Sequence, residues 1–238
     1  MENKKVKDIF NSISRKYDLT NTLLSFGIEK YWRRRFNSYV TGNEKRILDA
    51  CCGTGMSTFS VLGKIPEKNL KQSEIFGIDF SKEMLEIAEK RLVKFRKLKS
   101  IPQIIFLESD VTKTAFDDNF FDLVTVVFGL RNIIDRDKAL NEFYRITAPG
   151  GRLLIMEFNL PQSGIFSKLY KFYLNRILIN TGKIVTGKRE AYEHLVETIR
   201  EFPNSLIIMD KIKKAVWKSI TIQSMTLGAC VIYYAVKF

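Results

Sequence analysis

Apolar and polar positions along the chain follow two rhythms. Between residues 4 and 40, Val6, Ile9, Phe10 and Ile13, then Leu19, Leu23 and Leu24, recur at helical spacing, with Gly27 as an interruption. From Arg46 onward, short apolar runs alternate with amphipathic stretches. Ile47-Leu48-Asp49-Ala50 predicts a strand, followed by a glycine turn and a helix from about Met56. Residues 75–79 predict a second strand. Residues 81–99 predict a helix with Ser81 as N-cap and Met84, Leu85, Ala88 and Leu92 on its apolar face. Strands at 104–107 and 122–127 follow, the second apolar throughout, as a strand covered on both faces requires. Next come a helix over 135–146, a turn at Pro149-Gly150-Gly151 and a fifth strand over 152–158. Residues 165–200 read as helical, 206–214 as a short helix, and 216–223 and 230–236 as two closing strands with no helix between them.

This alternation predicts an α/β fold. The expected core is a doubly wound, mostly parallel, seven-stranded Rossmann-like sheet with an antiparallel C-terminal hairpin at one edge. Residues 1–42 are expected to form an N-terminal helical lid. Residues 43–238 form the sheet domain, with a helical substrate cover inserted at about 162–200.

Composition narrows the setting. The 238 residues suit one large domain with appendages. Three cysteines, two of them the adjacent Cys51 and Cys52, make no disulfide framework and suggest a reducing cytosol. No apolar run approaches the roughly 18 to 20 residues of a membrane span, and the N-terminus lacks the apolar core of a signal peptide. The expectation is a chain that stays inside the cell. Lys plus Arg, 39, minus Asp plus Glu, 26, leaves +13. Such a charge favours anionic partners, either nucleic acid or an acidic membrane surface, or reflects a lysine-rich composition alone. Charge does not choose among these.

The segment Leu48-Asp49-Ala50-Cys51-Cys52-Gly53-Thr54-Gly55 places an acid at a strand end, then a glycine loop, then a helix whose positive end faces the loop. Asp79 closes the next strand, 24 residues after Gly55, where an acid can accept from both hydroxyls of a ribose. A dinucleotide site would place a glycine where Thr58 stands, so that fingerprint is incomplete. S-adenosylmethionine carries no phosphate, and Asp49 suits its cationic amino-acid end. Asp110, after the third strand, could accept from its adenine amino group. The five residues Asp49, Gly53, Gly55, Asp79 and Asp110, on successive strand ends, resemble the cofactor site of class I methyltransferases.

Three further segments narrow the resemblance. Tyr17-Asp18-Leu19-Thr20-Asn21 leads into Leu24-Ser25-Phe26-Gly27, with Trp32 beyond. Phe128-Gly129-Leu130-Arg131-Asn132 follows the fourth strand. Tyr144-Arg145-Ile146 and Pro149-Gly150-Gly151-Arg152-Leu153-Leu154 end in Glu157-Phe158. Together with the terminal Lys237-Phe238, these resemble the UbiE/COQ5 quinone C-methyltransferases from about residue 7 to the end. Departures occur at Thr20, at Glu29, in the loop Cys52-Gly53-Thr54-Gly55-Met56 and at Val127.

The resemblance implies methyl transfer from S-adenosylmethionine, without a metal, to a ring carbon of a polyprenylated demethylquinol. It extends the cofactor contacts to Thr54, Val111 and Val127. It implies Arg131, Asn132, Tyr17 and Asp18 as the catalytic group, with Arg131 holding a phenolate by charge and the lid residues Tyr17 and Asp18 reaching the ring oxygen. Arg131 as a plain ion-pair residue and Tyr17 as a packing aromatic are the alternatives. His194, the only histidine, reads as a helix-surface residue, and Cys51 and Cys52 as small packing residues. A lipid-tailed substrate implies peripheral association with the anionic inner face of the cell membrane. The cluster at 30–35 and the basic, aromatic stretch at 166–188 are the candidate contacts. A homodimer is compatible with this reading, and no nucleic-acid partner is expected. Two other functions compete. An RNA methyltransferase would suit the charge, but Phe128-Gly129-Leu130-Arg131 stands where base N-methylating enzymes often carry Asn/Asp-Pro-Pro-aromatic. The other is a non-catalytic cofactor- or quinone-binding assembly subunit that lost turnover; the intact Gly53, Gly55 and Asp79 set disfavours loss of cofactor binding.

Overall fold

The computed structural model describes residues 27–98 and 101–238. Seven strands form one sheet: β1 (Arg46–Ala50), β2 (Glu74–Asp79), β3 (Gln103–Glu108), β4 (Phe121–Val127), β5 (Thr147–Phe158), β6 (Lys218–Met225) and β7 (Cys230–Val236). Their order is β3-β2-β1-β4-β5-β7-β6. The first five are parallel, and β7 lies antiparallel between β5 and β6, so the sheet and its closing hairpin follow the sequence expectation. From β1 the chain winds outward to β2 and β3, then returns to place β4 on the other side of β1. That reversal opens a crevice at the carboxyl ends of β1 and β4, where open α/β sheets take their ligands.

Alternation along the strands divides the core in two. Leu48, Val124, Val126, Leu153 and Ile155 face one layer, filled by Leu140, Phe143 and Ile146 of α4 (Arg136–Ile146) and by Trp217. Ile47, Leu123, Leu154 and Met156 face the other, with Trp32 and Phe36 of α1 (Ile28–Asn37), Val61 of α2 (Met56–Leu62) and Leu92 of α3 (Lys82–Leu98). Within the expected lid, residues 1–26 lie outside the described residues, whereas α1 is built into the second layer. Ser81 caps α3 as expected, its Oγ accepting the Met84 N–H at 3.2 Å.

Three elements depart from expectation. The turn at Gly150-Gly151 lies inside β5, because the Gly150 N–H and the Gly151 carbonyl pair with the Lys237 backbone at 2.7 and 2.9 Å. β6 starts two residues late, because Val216 is left-handed with φ 61°, and Ser219, φ 46°, lies at a register shift within the strand. The helical stretch after β5 divides into α5 (Gly164–Phe172), a π-helical turn (Tyr173–Leu178), α6 (Ile179–Thr186) and, beyond the left-handed Gly187, α7 (Arg189–Glu201). These pack through Leu174, Leu178, Tyr192, Val196 and Ile199 around a small core of their own. A last helix, α8 (Ser205–Lys214), is capped by Asn204, which accepts the Leu206 and Ile207 N–H groups at 3.1 Å.

Candidate active site

β1 ends in a sharp loop. Cys51, Gly53 and Gly55 are all left-handed, with φ 57°, 54° and 81°. Gly55 is required by packing, since a Cβ there would lie 2.9 Å from Phe59 Cε2 and 3.2 Å from the Ala88 Cβ. Gly53 differs: a Cβ there would meet nothing within 4 Å. Its bare backbone borders open space at the crevice, the surface a closely approaching ligand needs.

Two buried carboxylates shape this loop. Asp49 Oδ2 accepts the hydroxyls of Ser57 and Thr58 at 2.8 and 2.6 Å, and its Oδ1 that of Thr125 at 3.2 Å. Burial pushes its carboxyl above the usual range against those three bonds. These bonds hold β1, α2 and β4 together at the start of the loop. Asp79 Oδ2 accepts the Gly53 N–H and Oδ1 the Ser81 N–H, both at 2.9 Å, tying the loop to β2. Burial raises its carboxyl to about 6, opposed by those two N–H groups and reinforced by the charge of Asp49. Each oxygen keeps a lone pair, an arrangement suited to two vicinal hydroxyls. Asp110 is exposed beyond β3, one oxygen fixed by the Thr112 N–H at 2.8 Å; the adjacent Val111 is buried, as is Val127, the last residue of β4. Thr54 is buried in the loop, and its carbonyl and hydroxyl accept from Arg91 at 3.1 and 3.2 Å. The open backbone at Gly53, the two-oxygen acceptor at Asp79 and the exposed Asp110 fit a nucleoside-bearing cofactor.

The β1 and β4 ends abut directly, because a Cβ on Gly129 would collide with the Cys51 side chain. Burial pushes the Cys51 and Cys52 thiols up, so they stay protonated and serve as small packing groups. Phe128 is left-handed at φ 57°, its N–H donating to the Met156 carbonyl at 2.8 Å. This sharp turn stacks its ring on Phe158, with centroids 4.4 Å apart. Trp32 of α1 meets both rings edge-on at 6.2 and 5.9 Å, while its Nε1 donates to Thr226 Oγ1 at 2.8 Å. An aromatic wall thus stands beside the glycine loop, under α1.

Arg131 corrects the sequence reading. It is buried, and its Nη1 donates to Glu157 Oε1 at 2.8 Å and to the Phe128 carbonyl. Its backbone N–H donates to Glu157 Oε2 at 3.0 Å, and its guanidinium lies 5.2 Å from the Phe158 ring centre. A buried guanidinium without a counterion would cost several kcal/mol, and the fully buried Glu157 supplies one. The pair is neutral as a unit, so Arg131 positions the Phe128 turn and does not present an uncompensated charge to a phenolate. Asn132 is half-buried, and its Oδ1 is buried without a hydrogen-bond partner among the described residues. His194 is half-buried in α7, not on its open surface. Tyr17 and Asp18 lie outside the described residues.

Sequence reasoning gave no role to Glu157, Phe158, Phe128 or Trp32. One signal was present: Glu157 ends the apolar run Leu153-Leu154-Ile155-Met156, where an acid requires a buried partner.

Comparison with known proteins gives a consistent result. The model of the "ubiE/COQ5 methyltransferase family" matches residues 1–237. A demethylmenaquinone methyltransferase of Mycobacterium tuberculosis is 36% identical over 233 residues, covering 98% of this chain and 92% of that protein. A ubiquinone/menaquinone biosynthesis C-methyltransferase of Pseudoalteromonas translucida is 34% identical over 234 residues, covering 98% and 90%. Among solved structures, a SAM-dependent methyltransferase of Thermotoga maritima, described as a possible histamine N-methyltransferase, superposes with TM-score 0.65. It is 18% identical and covers 97% of this chain and 99% of that one. A SAM-dependent methyltransferase of Aquifex aeolicus gives 0.62 at 18% identity, covering 96% and 98%.

Proposed function

The chain belongs to the ubiE/COQ5 methyltransferase family, and on that premise we propose that it C-methylates the ring of a polyprenylated demethylquinol in respiratory quinone biosynthesis. The observation that carries this reading is one crevice with two halves: the open Gly53 backbone and the Asp79 acceptor on one side, the Phe128–Phe158–Trp32 wall on the other. The first half takes a nucleoside. The second offers flat apolar surface to a fused or substituted aromatic ring.

S-adenosylmethionine, when bound, supplies a methyl group already activated on a sulfonium. The chain holds the donor by its ribose at Asp79, by its adenine at Asp110, and against the backbone of Gly53 and Thr54, with Val111 and Val127 as apolar neighbours. Asp49 fixes the loop that does this. On the acceptor side, the ring carbon gains electron density as the neighbouring phenol loses its proton. That ring carbon would take the methyl carbon from the donor, the pair of the broken bond staying on sulfur, and the displaced ring proton would pass to water. Asn132 Oδ1, buried without a partner among the described residues, would accept a hydrogen bond from the ring hydroxyl. Asp18 is the proposed acceptor of the phenolic proton, with the Tyr17 hydroxyl hydrogen-bonding the ring oxygen. Glu157 and Arg131 hold the Phe128 and Phe158 part of the aromatic wall in place. The lipid tail places the encounter at the inner face of the cell membrane, with the chain attached peripherally.

The test is methyl transfer from labelled S-adenosylmethionine to demethylmenaquinol, to the demethylated benzoquinol precursor and to bulk RNA, offered separately in detergent. Label in a quinol is expected, and its identity names the ring. Label in RNA alone would overturn the reading.

A further inference from the structure

The segment after β5 exposes a row of large apolar side chains. In α5, Ile165, Leu169 and Phe172 follow one another at intervals of four and three, one face of an α-helix, and are 78%, 61% and 59% exposed. On its other side Ser167 is buried, and Phe166 and Tyr170 are half-buried. Five residues separate Phe172 from Ile177, a spacing that would carry Ile177 to another face of an α-helix. The π-helical turn changes that. Its bonds close over five residues, so Ile177 returns beneath Phe172 while Leu174 and Leu178 stay in the core. Ile184 lies seven residues on, two turns of α6, and is 84% exposed. The non-α turn therefore keeps Ile177 and Ile184 in line with the α5 row, with Asn180 and Thr181 between them.

Charge says what this row fits. Residues 162–188 contain five Lys or Arg and no Asp or Glu. Lys168, Lys171, Arg176 and Lys183 are exposed along the row. α7 follows with Glu190, Glu193, Glu197 and Glu201, all exposed, so the acid-free surface stops at Gly187. The other basic candidate, at residues 30–35, lacks such a row: Trp32 is turned into the core, and α1 exposes only Ile28 and Tyr31 among its large apolar residues.

We propose that the α5–α6 face docks on an anionic lipid bilayer, its apolar row entering the boundary between headgroups and acyl chains and its cations meeting lipid phosphates. The docking inference stands on the face itself. Its link to catalysis rests on the proposed lipid-tailed substrate: Phe166 and Tyr170, on the inner side of α5, pack in one cluster with Phe158 and Trp32. A ring lifted from the bilayer under α5 thus meets the aromatic wall.

The test is flotation of the full chain with phosphatidylcholine vesicles, pure or mixed with phosphatidylglycerol, alongside a Leu169→Ser/Phe172→Ser double variant. Melting temperature and solution mass are measured for both. The wild type is expected to float with the mixed vesicles and several-fold less with pure phosphatidylcholine. The double variant should melt normally and bind the mixed vesicles more than about tenfold more weakly, the scale of removing two large apolar side chains from an interface. Methyl transfer to a tail-less, water-soluble quinol is measured in parallel and should be equal in both proteins. A wild type that methylates this quinol but does not float overturns the docking proposal and leaves the reaction standing. One that floats but methylates no quinol does the reverse. A wild-type dimer that the double variant splits, with no vesicle binding by either, would make the row a self-association surface and overturn the proposal.

Discussion

Asp79 is where function and stability pull in opposite directions, and pH separates them. Its carboxyl ionises near 3.8 when solvated and near 6 in the fold, because burial outweighs the N–H groups of Gly53 and Ser81. A group that binds its proton more tightly when folded stabilises the fold at low pH, and that contribution disappears as pH rises through the folded value. Below about pH 4 both states hold the proton and the fold bears no cost. Between about 4 and 6 the unfolded chain releases it first, and above about 6 the fold carries the full penalty. Two pH units at 1.36 kcal/mol each make that penalty about 3 kcal/mol. An Asp79→Asn variant has no proton to lose. Its amide turns one NH₂ toward a backbone N–H, which adds a constant offset but no pH slope. Urea unfolding of the cofactor-free proteins at intervals from about pH 4 to 7.5 reads the difference directly. Relative to the variant, the wild type should lose about 3 kcal/mol across this range, while its affinity for S-adenosylmethionine rises as the ribose acceptor becomes charged. Parallel stability curves would refute the buried, proton-retaining carboxyl and the cost assigned to it.

Other expectations follow from the same geometry. Gly53→Ala adds a Cβ into open space at a left-handed position, costing about 1–2 kcal/mol of stability but far more in cofactor affinity. Gly55→Ala also presses on Phe59 and Ala88, so its melting temperature should fall further than that of Gly53→Ala. Glu157→Gln leaves Arg131 buried without its counterion and should lower unfolding free energy by about 3–5 kcal/mol in urea titration. Asn132→Ala removes an acceptor unpartnered among the described residues; KM for the quinol should rise roughly fivefold, about 1 kcal/mol, with Kd for the cofactor unchanged in calorimetry.

Local rules carried the sequence reading as far as local rules act. The glycine loop, the Ser81 cap and the apolar strands 47–50 and 122–127 are each decided within a few residues, and all are found where expected. What was not legible depends on partners distant in sequence. Glu157 meets Arg131 across 26 residues, and Asp49 meets Thr125 across 76. Neither pairing leaves a periodic trace, so the sequence could not choose between a phenolate-facing and an ion-paired Arg131, nor name the hydroxyls that hold Asp49. The stretch at 165–200 read as uninterrupted because α and π turns use the same residues. Only packing of Leu174 and Leu178 against α7 reveals the change of pitch. The late start of β6 and its internal register shift have a similar origin, since nothing in Val216 or Ser219 announces a left-handed backbone.

The central claim is a methyl group placed on ring carbon. Reaction with S-adenosylmethionine carrying a ¹³C-methyl group, followed by ¹³C NMR of the extracted quinone, tests it in one spectrum. The account predicts a single enriched signal in the region of methyl groups on sp² carbon, in a product that survives oxidation to the quinone. An enriched signal in the methoxy region would mean transfer to oxygen and would contradict it.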